Sequence, residues 1–292
     1  MSRSTVAARV PCLKRPAKPR RVRHEDPSTG PVGRATFGHS LRAEWIRLRT
    51  MRSTLYAVLA TLGAGAGLGT LNGSSAGDEY AVMSAADRLT FDPLATSLKG
   101  VILAQLTLAL LGGLAIASEY GSRTIVSTLT AVPRRGRVLV AKAVVVLAIA
   151  LPTGLLTTLG GFLAGQAALD SSGAPYVALG DAGAWRAVLG GGLFLALSAL
   201  FGLAAGTMIR STTATVTTLF ATTLLVPALA PALPGALADW VAKYWPPSAG
   251  GQIVTGYHDP DLLGPWPGFT VMAGCVAVLL GAAFLTFRRR DA

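Results

Sequence analysis

Six long apolar stretches, Ser53–Leu71, Leu98–Ser118, Val138–Ala164, Trp185–Ile209, Thr212–Ala232 and Trp266–Phe287, alternate with polar connections along this chain. Each has about 19 residues or more, which at roughly 1.5 Å per helical residue crosses a hydrocarbon layer of about 30 Å. The pattern predicts an all-α polytopic membrane protein with six transmembrane helices spanning residues 53–287. Many of the 34 glycines lie inside these stretches. Small residues let membrane helices approach closely, so a packed bundle is expected.

Ahead of the first stretch the periodicity changes. Phe37, Leu41, Trp45 and Leu48 recur at helical spacing on one face, with Arg42, Arg47, Arg49 and Arg52 mostly on the others. Residues 37–52 therefore read as an amphipathic interfacial helix leading into the bundle. Glu44 falls near its apolar stripe, an awkward place for a charge. Pairing with Arg47 one turn on is the simpler account, and contact with a partner protein is the other. Residues 1–36, rich in Arg, Lys, Pro, Ser and Gly, show no apolar period and are expected to be a disordered basic tail. Such a tail either docks on anionic lipid or is a dispensable extension. Its Arg20-Arg21 pair is followed by His24-Glu25-Asp26-Pro27 where an export signal needs an apolar core.

The connections differ in character. Residues 72–97 are acidic, with room for one short helix. Residues 119–137 hold an apolar core, Thr124–Val132, ended by Pro133. Arg210-Ser211 suffices only for a tight turn between antiparallel helices. In 233–265, Trp240, Tyr244, Trp245 and Tyr257 read as interfacial aromatic anchors.

Charge then orients the bundle. Residues 1–52, the 119–142 region, Arg210 and the basic C-terminus 288–292 carry 22 of the 26 Lys and Arg, while the other side holds nine of the 14 acidic residues. By the positive-inside rule both termini are expected in the cytoplasm, with the protein multi-pass in the plasma membrane. A net charge of +12 in a soluble chain would point to nucleic acid. Here 51% of residues are hydrophobic, 14% are charged and the mean hydropathy is +0.52. No folded soluble region remains to read nucleic acid, so lipid headgroups are the expected partner of the basic flanks.

Candidate chemistry is sparse. Cys12 and Cys275 fall in different compartments under this topology, and His24, His39 and His258 are scattered, so neither a disulfide nor a metal site is expected. No stretch has an acidic residue, Arg or His near its middle. Lys142 lies near the cytoplasmic end of the third, where it reads as snorkelling to headgroups. Gln105 is the most polar side chain deep in a span and is expected to make an interhelical hydrogen bond. The fifth stretch carries Thr212, Thr213, Thr215, Thr217, Thr218, Thr222 and Thr223, whose hydroxyls are expected to bond back to the preceding turn. No Gly-x-x-x-x-Gly-Lys-[Ser/Thr] loop, Gly-x-Ser-x-Gly elbow or His-Glu-x-x-His pair occurs. No catalytic, cofactor or metal residue is therefore assigned, and any uphill work needs energy from another chain.

The run Ser118–Lys142 resembles the permease subunit of type-2 ABC exporters, particularly the compact six-span permeases of high-GC Gram-positive bacteria. In those a Glu ends the second span and leads into a short cytoplasmic helix, then Pro, basic residues and a Lys entering the third span. Glu119, Thr124, Leu129, Pro133, Arg135 and Lys142 occupy these positions, with Arg123 where the family often has Gly. Leu41–Arg49 and Pro246–Gln252 are similar as well, so the resemblance covers about residues 37–290. It implies a subunit without its own ATPase site, paired with a second copy or a homologous permease and with separately encoded ABC ATP-binding subunits. The segment within 119–133 would be the coupling helix seated on the ATPase. Arg134, Arg135 and Arg137 either belong to it or enforce topology. The helix bearing Leu41, Glu44, Trp45 and Leu48 would be the elbow beside it. The rival readings are a polytopic enzyme acting on lipid or prenyl substrates and a non-transporting membrane sensor or immunity protein.

Overall fold

The computed structural model describes residues 37–121 and 135–289. The predicted disordered tail, the last three residues, and Thr124, Leu129, Pro133 and Arg134 of the predicted coupling segment lie outside the described residues.

The described chain is helical, with no strand among its residues, and six of its helices are long and apolar enough to cross a membrane. Helix α1 (Phe37–Thr50) is the amphipathic segment. A single extended residue, Met51, separates it from α2 (Arg52–Val82). Two short helices follow, α3 (Ala85–Leu89) and α4 (Pro93–Ser97), where one was expected. Then come α5 (Val101–Gly121), α6 (Arg135–Ser171) and α7 (Ala184–Ile209). The fifth span, Thr212–Ala232, is composite: α8 (Thr212–Phe220), a π turn (Ala221–Leu225), α9 (Val226–Leu229) and a closing 3₁₀ turn. An arm made of α10 (Gly235–Tyr244), α11 (Pro246–Gly251) and a 3₁₀ turn (Gln252–Val254) precedes the last span, α12 (Pro265–Arg289).

Small residues set the helix pairing. On α2, Gly65, Gly69, Gly73 and Gly77 repeat every fourth residue and so share one face. That face lies on Thr157, Gly161 and Gly165 of α6 and on Ser172 just past its end, the two helices running parallel. A Cβ on Gly69 would sit 2.6 Å from the Gly161 carbonyl oxygen, and one on Gly73 2.6 Å from that of Gly165. Backbones this close gain dispersion along the whole seam, the usual source of helix association in lipid. The seam explains why α2 continues past the apolar stretch that ends at Leu71. Its polar last turns, with Asn72, Asp78 and Glu79, remain helical because Gly73 and Gly77 still have partners on α6. A second parallel seam joins α5 to α7, where a methyl on Gly112 or Gly202 would overlap the carbonyl of Ala199 or Ala109. Helix α7 is the most enclosed of the six, and α2, the fifth span and α12 are the most outward-facing.

The connections are capped as their residues dictate. Ser84 accepts from the Asp87 N–H, and Asp92 Oδ1 accepts from the Leu94 and Ala95 N–H groups. Asp92 Oδ2 also accepts from the N–H groups of Gly256 and Tyr257, fastening the chain after the arm to α4. Arg210 takes the left-handed conformation (φ 57°) that ends α7, and Ser211 caps α8.

The arm reaches deep into the bundle. Its Ala249, Ile253 and Val254 are buried. Gly250 lies against Phe194 of α7 and Met272 of α12. Trp245, expected as an interfacial anchor, instead donates its indole N–H to the Thr222 carbonyl at 2.8 Å, midway along the fifth span. Pro227 is the physical reason. In the π turn the Val226 N–H turns to Ala221 O, and Pro227 has no N–H to offer. Thr222 therefore loses its usual donor, and the indole replaces it.

Candidate coupling site

Four ionic side chains meet where α1 crosses the ends of α5 and α6. Lys142, about two turns into α6, is fully buried (0% exposed), not snorkelling as its place in the sequence suggests. Its Nζ donates to Glu44 Oε1 of α1 at 2.8 Å and to Glu119 Oε1 at the end of α5. Arg47, one turn after Glu44, pairs with the same Glu119 oxygen and lies 3.8 Å from Glu44. Glu119 is 1% and Glu44 8% exposed, whereas about a third of the Arg47 side chain meets the surroundings. Among the described residues two carboxylates thus face two cations, and their formal charges cancel. Cancellation is what a buried cluster requires, because an unpaired charge in such a place costs several kcal/mol.

Local sequence explains how each member arrives. Leu48 is buried and Leu41 half-buried, both in the main apolar core; they seat α1 and turn Glu44 inward on the same face. This accounts for a carboxylate on the apolar stripe: its chief partner is Lys142, 98 residues away, with Arg47 as a secondary contact. Trp45 is different, being 40% exposed. Glu119 is held at the root of α5 from two sides. The Thr212 hydroxyl donates to Ala117 O at 3.2 Å, and the Arg210 guanidinium lies 5.3 Å from the centre of the Tyr120 ring.

Of the predicted coupling residues, the structure brings Glu119 to the elbow residue Glu44 through Lys142. Arg135 begins α6, and Arg137 is half-buried on its first turn. Lys142 itself was the residue whose role the sequence obscured, since a Lys near a span end usually has its ammonium in water.

The arrangement joins the ends of three helices. Glu119 lies just before the 122–134 segment, and Lys142 lies just after it. Both are tied to α1 by charge-assisted hydrogen bonds, which resist displacement more than apolar contacts do. Among the described residues no group of three or more His, Cys, Asp or Glu is placed to hold a metal ion. No family model matches the chain, and no curated protein matches it.

Proposed function

We propose that this chain is the permease subunit of an ATP-driven ABC exporter, embedded in the plasma membrane with both termini in the cytoplasm. Separate ATP-binding subunits would drive it, and a second permease would complete it. The observation that carries the reading is the buried Glu44–Lys142–Glu119–Arg47 cluster. It ties an amphipathic helix to both roots of the 122–134 segment, the one connection whose sequence suits a plug for a soluble partner. A push on that segment would reach α1, α5 and α6 together, because their ends share one set of ion pairs. The charge asymmetry supports the orientation, since the cluster falls at the end rich in Arg and Lys.

The test is co-purification of the tagged chain from native membranes under gentle extraction. A soluble subunit with a Gly-x-x-x-x-Gly-Lys-[Ser/Thr] loop, lost when residues 122–134 are replaced by a Gly/Ser linker, is the expected result. Recovery of the chain with no nucleotide-binding partner would overturn it and return weight to a stand-alone membrane protein.

A further inference from the structure

We propose that the half-open cavity of about 350 Å³ between α5, α7, the π turn and the arm binds a compact apolar molecule that ends in a carboxylate. Its volume falls at the lower end of the range of small-molecule sites, which suits one apolar body rather than a two-chain lipid. Exposure sorts the lining into a floor and a rim. Leu98 and Val101 where α5 begins, Phe194 of α7 and Val254 of the arm are buried and form an apolar floor. Lys99 is exposed and Ser248, Gln252 and Thr255 are half-buried, so the polar atoms gather at the mouth.

These polar groups are not equivalent. Thr223 and Thr255 commit their hydroxyl protons to the carbonyls of Leu219 and Gln252, at 2.6 and 2.9 Å. The Gln105 amide nitrogen is wholly enclosed and offers the cavity no donor. The Lys99 ammonium, the Ser248 hydroxyl and the Gln252 amide make no hydrogen bond or ion pair among the described residues. No Asp or Glu belongs to the lining. The mouth therefore presents one cation with two neutral donors, above a floor that gives water no polar partners. A neutral lipid tail would fill the floor and leave the donors idle. A carboxylate gives Lys99 a counter-ion and the neutral donors an acceptor, and charge-assisted bonds are the stronger kind. The π turn that brings Thr223 into the wall is a second sign, since such irregularities in a helix cluster at functional sites. Binding is read on the isolated chain, so neither outcome depends on the permease reading.

The experiment uses the full purified chain in zwitterionic lipid nanodiscs at about pH 8, where carboxylates are ionised and lysine is charged. It is photolabelled with 4-benzoylbenzoate or with 4-methylbenzophenone, which share an apolar body and differ in the anionic group. For each probe, labelling of the peptides holding Val101 and Val254 is divided by labelling of those holding Leu156 and Val278, which are exposed on the membrane-facing side. That ratio cancels the unequal partition of the two probes into lipid. A hydrogen bond to a charged group outweighs a neutral one, and screening at an exposed lysine reduces it, so the anionic probe should show a ratio about fivefold to tenfold higher. In Lys99→Met the two ratios should become equal, and Lys99→Arg should keep the preference. Equal ratios on the unaltered chain would overturn the proposal, and that comparison needs no variant to fold. A preference that survives Lys99→Met, or labelling of Leu156 and Val278 without enrichment at Val101 and Val254, would overturn it equally.

Discussion

Replacing Lys142 by Met removes the ammonium while keeping an unbranched side chain of similar reach, so it isolates the charge. At the 2.8 Å separation from Glu44 and an effective dielectric constant of about 20, the Coulomb attraction is about 6 kcal/mol before desolvation. Removing water from both ions consumes most of this, so the intact cluster adds little net stability. The variant is another matter. Among the described residues Glu44 and Glu119 then share one cation, Arg47, which is itself partly exposed. Glu44 loses its 2.8 Å partner and keeps the 3.8 Å contact with Arg47, and K142M is expected to lose about 3–5 kcal/mol.

Charge balance provides the control. In the double variant E44Q/K142M one carboxylate and one cation are gone together, leaving the Arg47–Glu119 pair. The double variant should regain most of the loss, a coupling of about 2–3 kcal/mol between neighbouring sites. The assay is reversible unfolding in mixed micelles, followed by tryptophan fluorescence, for the unaltered chain, both single variants and the double. K142M within about 0.5 kcal/mol of the unaltered chain would show that Lys142 is solvated and the cluster is not buried. A double variant less stable than K142M would refute the charge-balance argument even if Lys142 matters.

Gly69→Leu drives a side chain into the backbone of Gly161 and Ser97 and should abolish stable packing of α2 on α6, whereas Gly67→Ala, which meets nothing within 4 Å, should be neutral; detergent-resistant folded yield separates the two. Trp245→Phe removes the donor to the Thr222 carbonyl and should cost about 1–2 kcal/mol, and markedly less in a Pro227→Ala background, where the restored N–H permits a regular helix; a double-mutant cycle by unfolding in micelles reads the difference. Under the permease reading, Ser127→Pro should leave insertion and folded yield intact while abolishing partner-stimulated ATP hydrolysis and efflux, and unchanged ATP hydrolysis would remove the coupling role of that segment.

Hydropathy and charge made the six spans, the amphipathic first helix and the tight Arg210-Ser211 turn legible in the sequence. Helix ends were less so, because apolar composition marks where lipid contact stops and not where helical packing stops. The third span shows this at both ends: α6 begins at Arg135 and runs to Ser171, beyond the apolar stretch 138–164. For α2 a better signal was present. The four-residue glycine repeat continues from Gly65 to Gly77, past Leu71, and repeats of that kind report a helix partner. Pro227 inside an apolar stretch similarly announced a break in helical hydrogen bonding, although nothing local showed that Trp245 would mend it. Glu44 on an apolar stripe was legible as a charge in need of a partner. That the partner was Lys142 was not, because the pairing joins residues 98 apart and depends on how α1 crosses the bundle.

The charged cluster and Gln105, the most polar side chain deep in a span, share one helix. Gln105 and Glu119 both belong to α5, about 21 Å apart along its axis at 1.5 Å per residue. Between them the α5–α7 seam, built on Gly112 and Gly202, leaves no room for one helix to bend independently of the other. A displacement applied at Glu119 is therefore carried along α5 as a rigid shift rather than absorbed midway. The fifth span is irregular by contrast, since it breaks its regular hydrogen bonding at the π turn and Trp245 donates to the Thr222 carbonyl there. Under the permease reading, force applied at the charged end would move the regular α5–α7 pair against the irregular fifth span. This requires no ionisable group in the span interior, in keeping with a chain whose buried charges, among the described residues, gather at one end of the bundle.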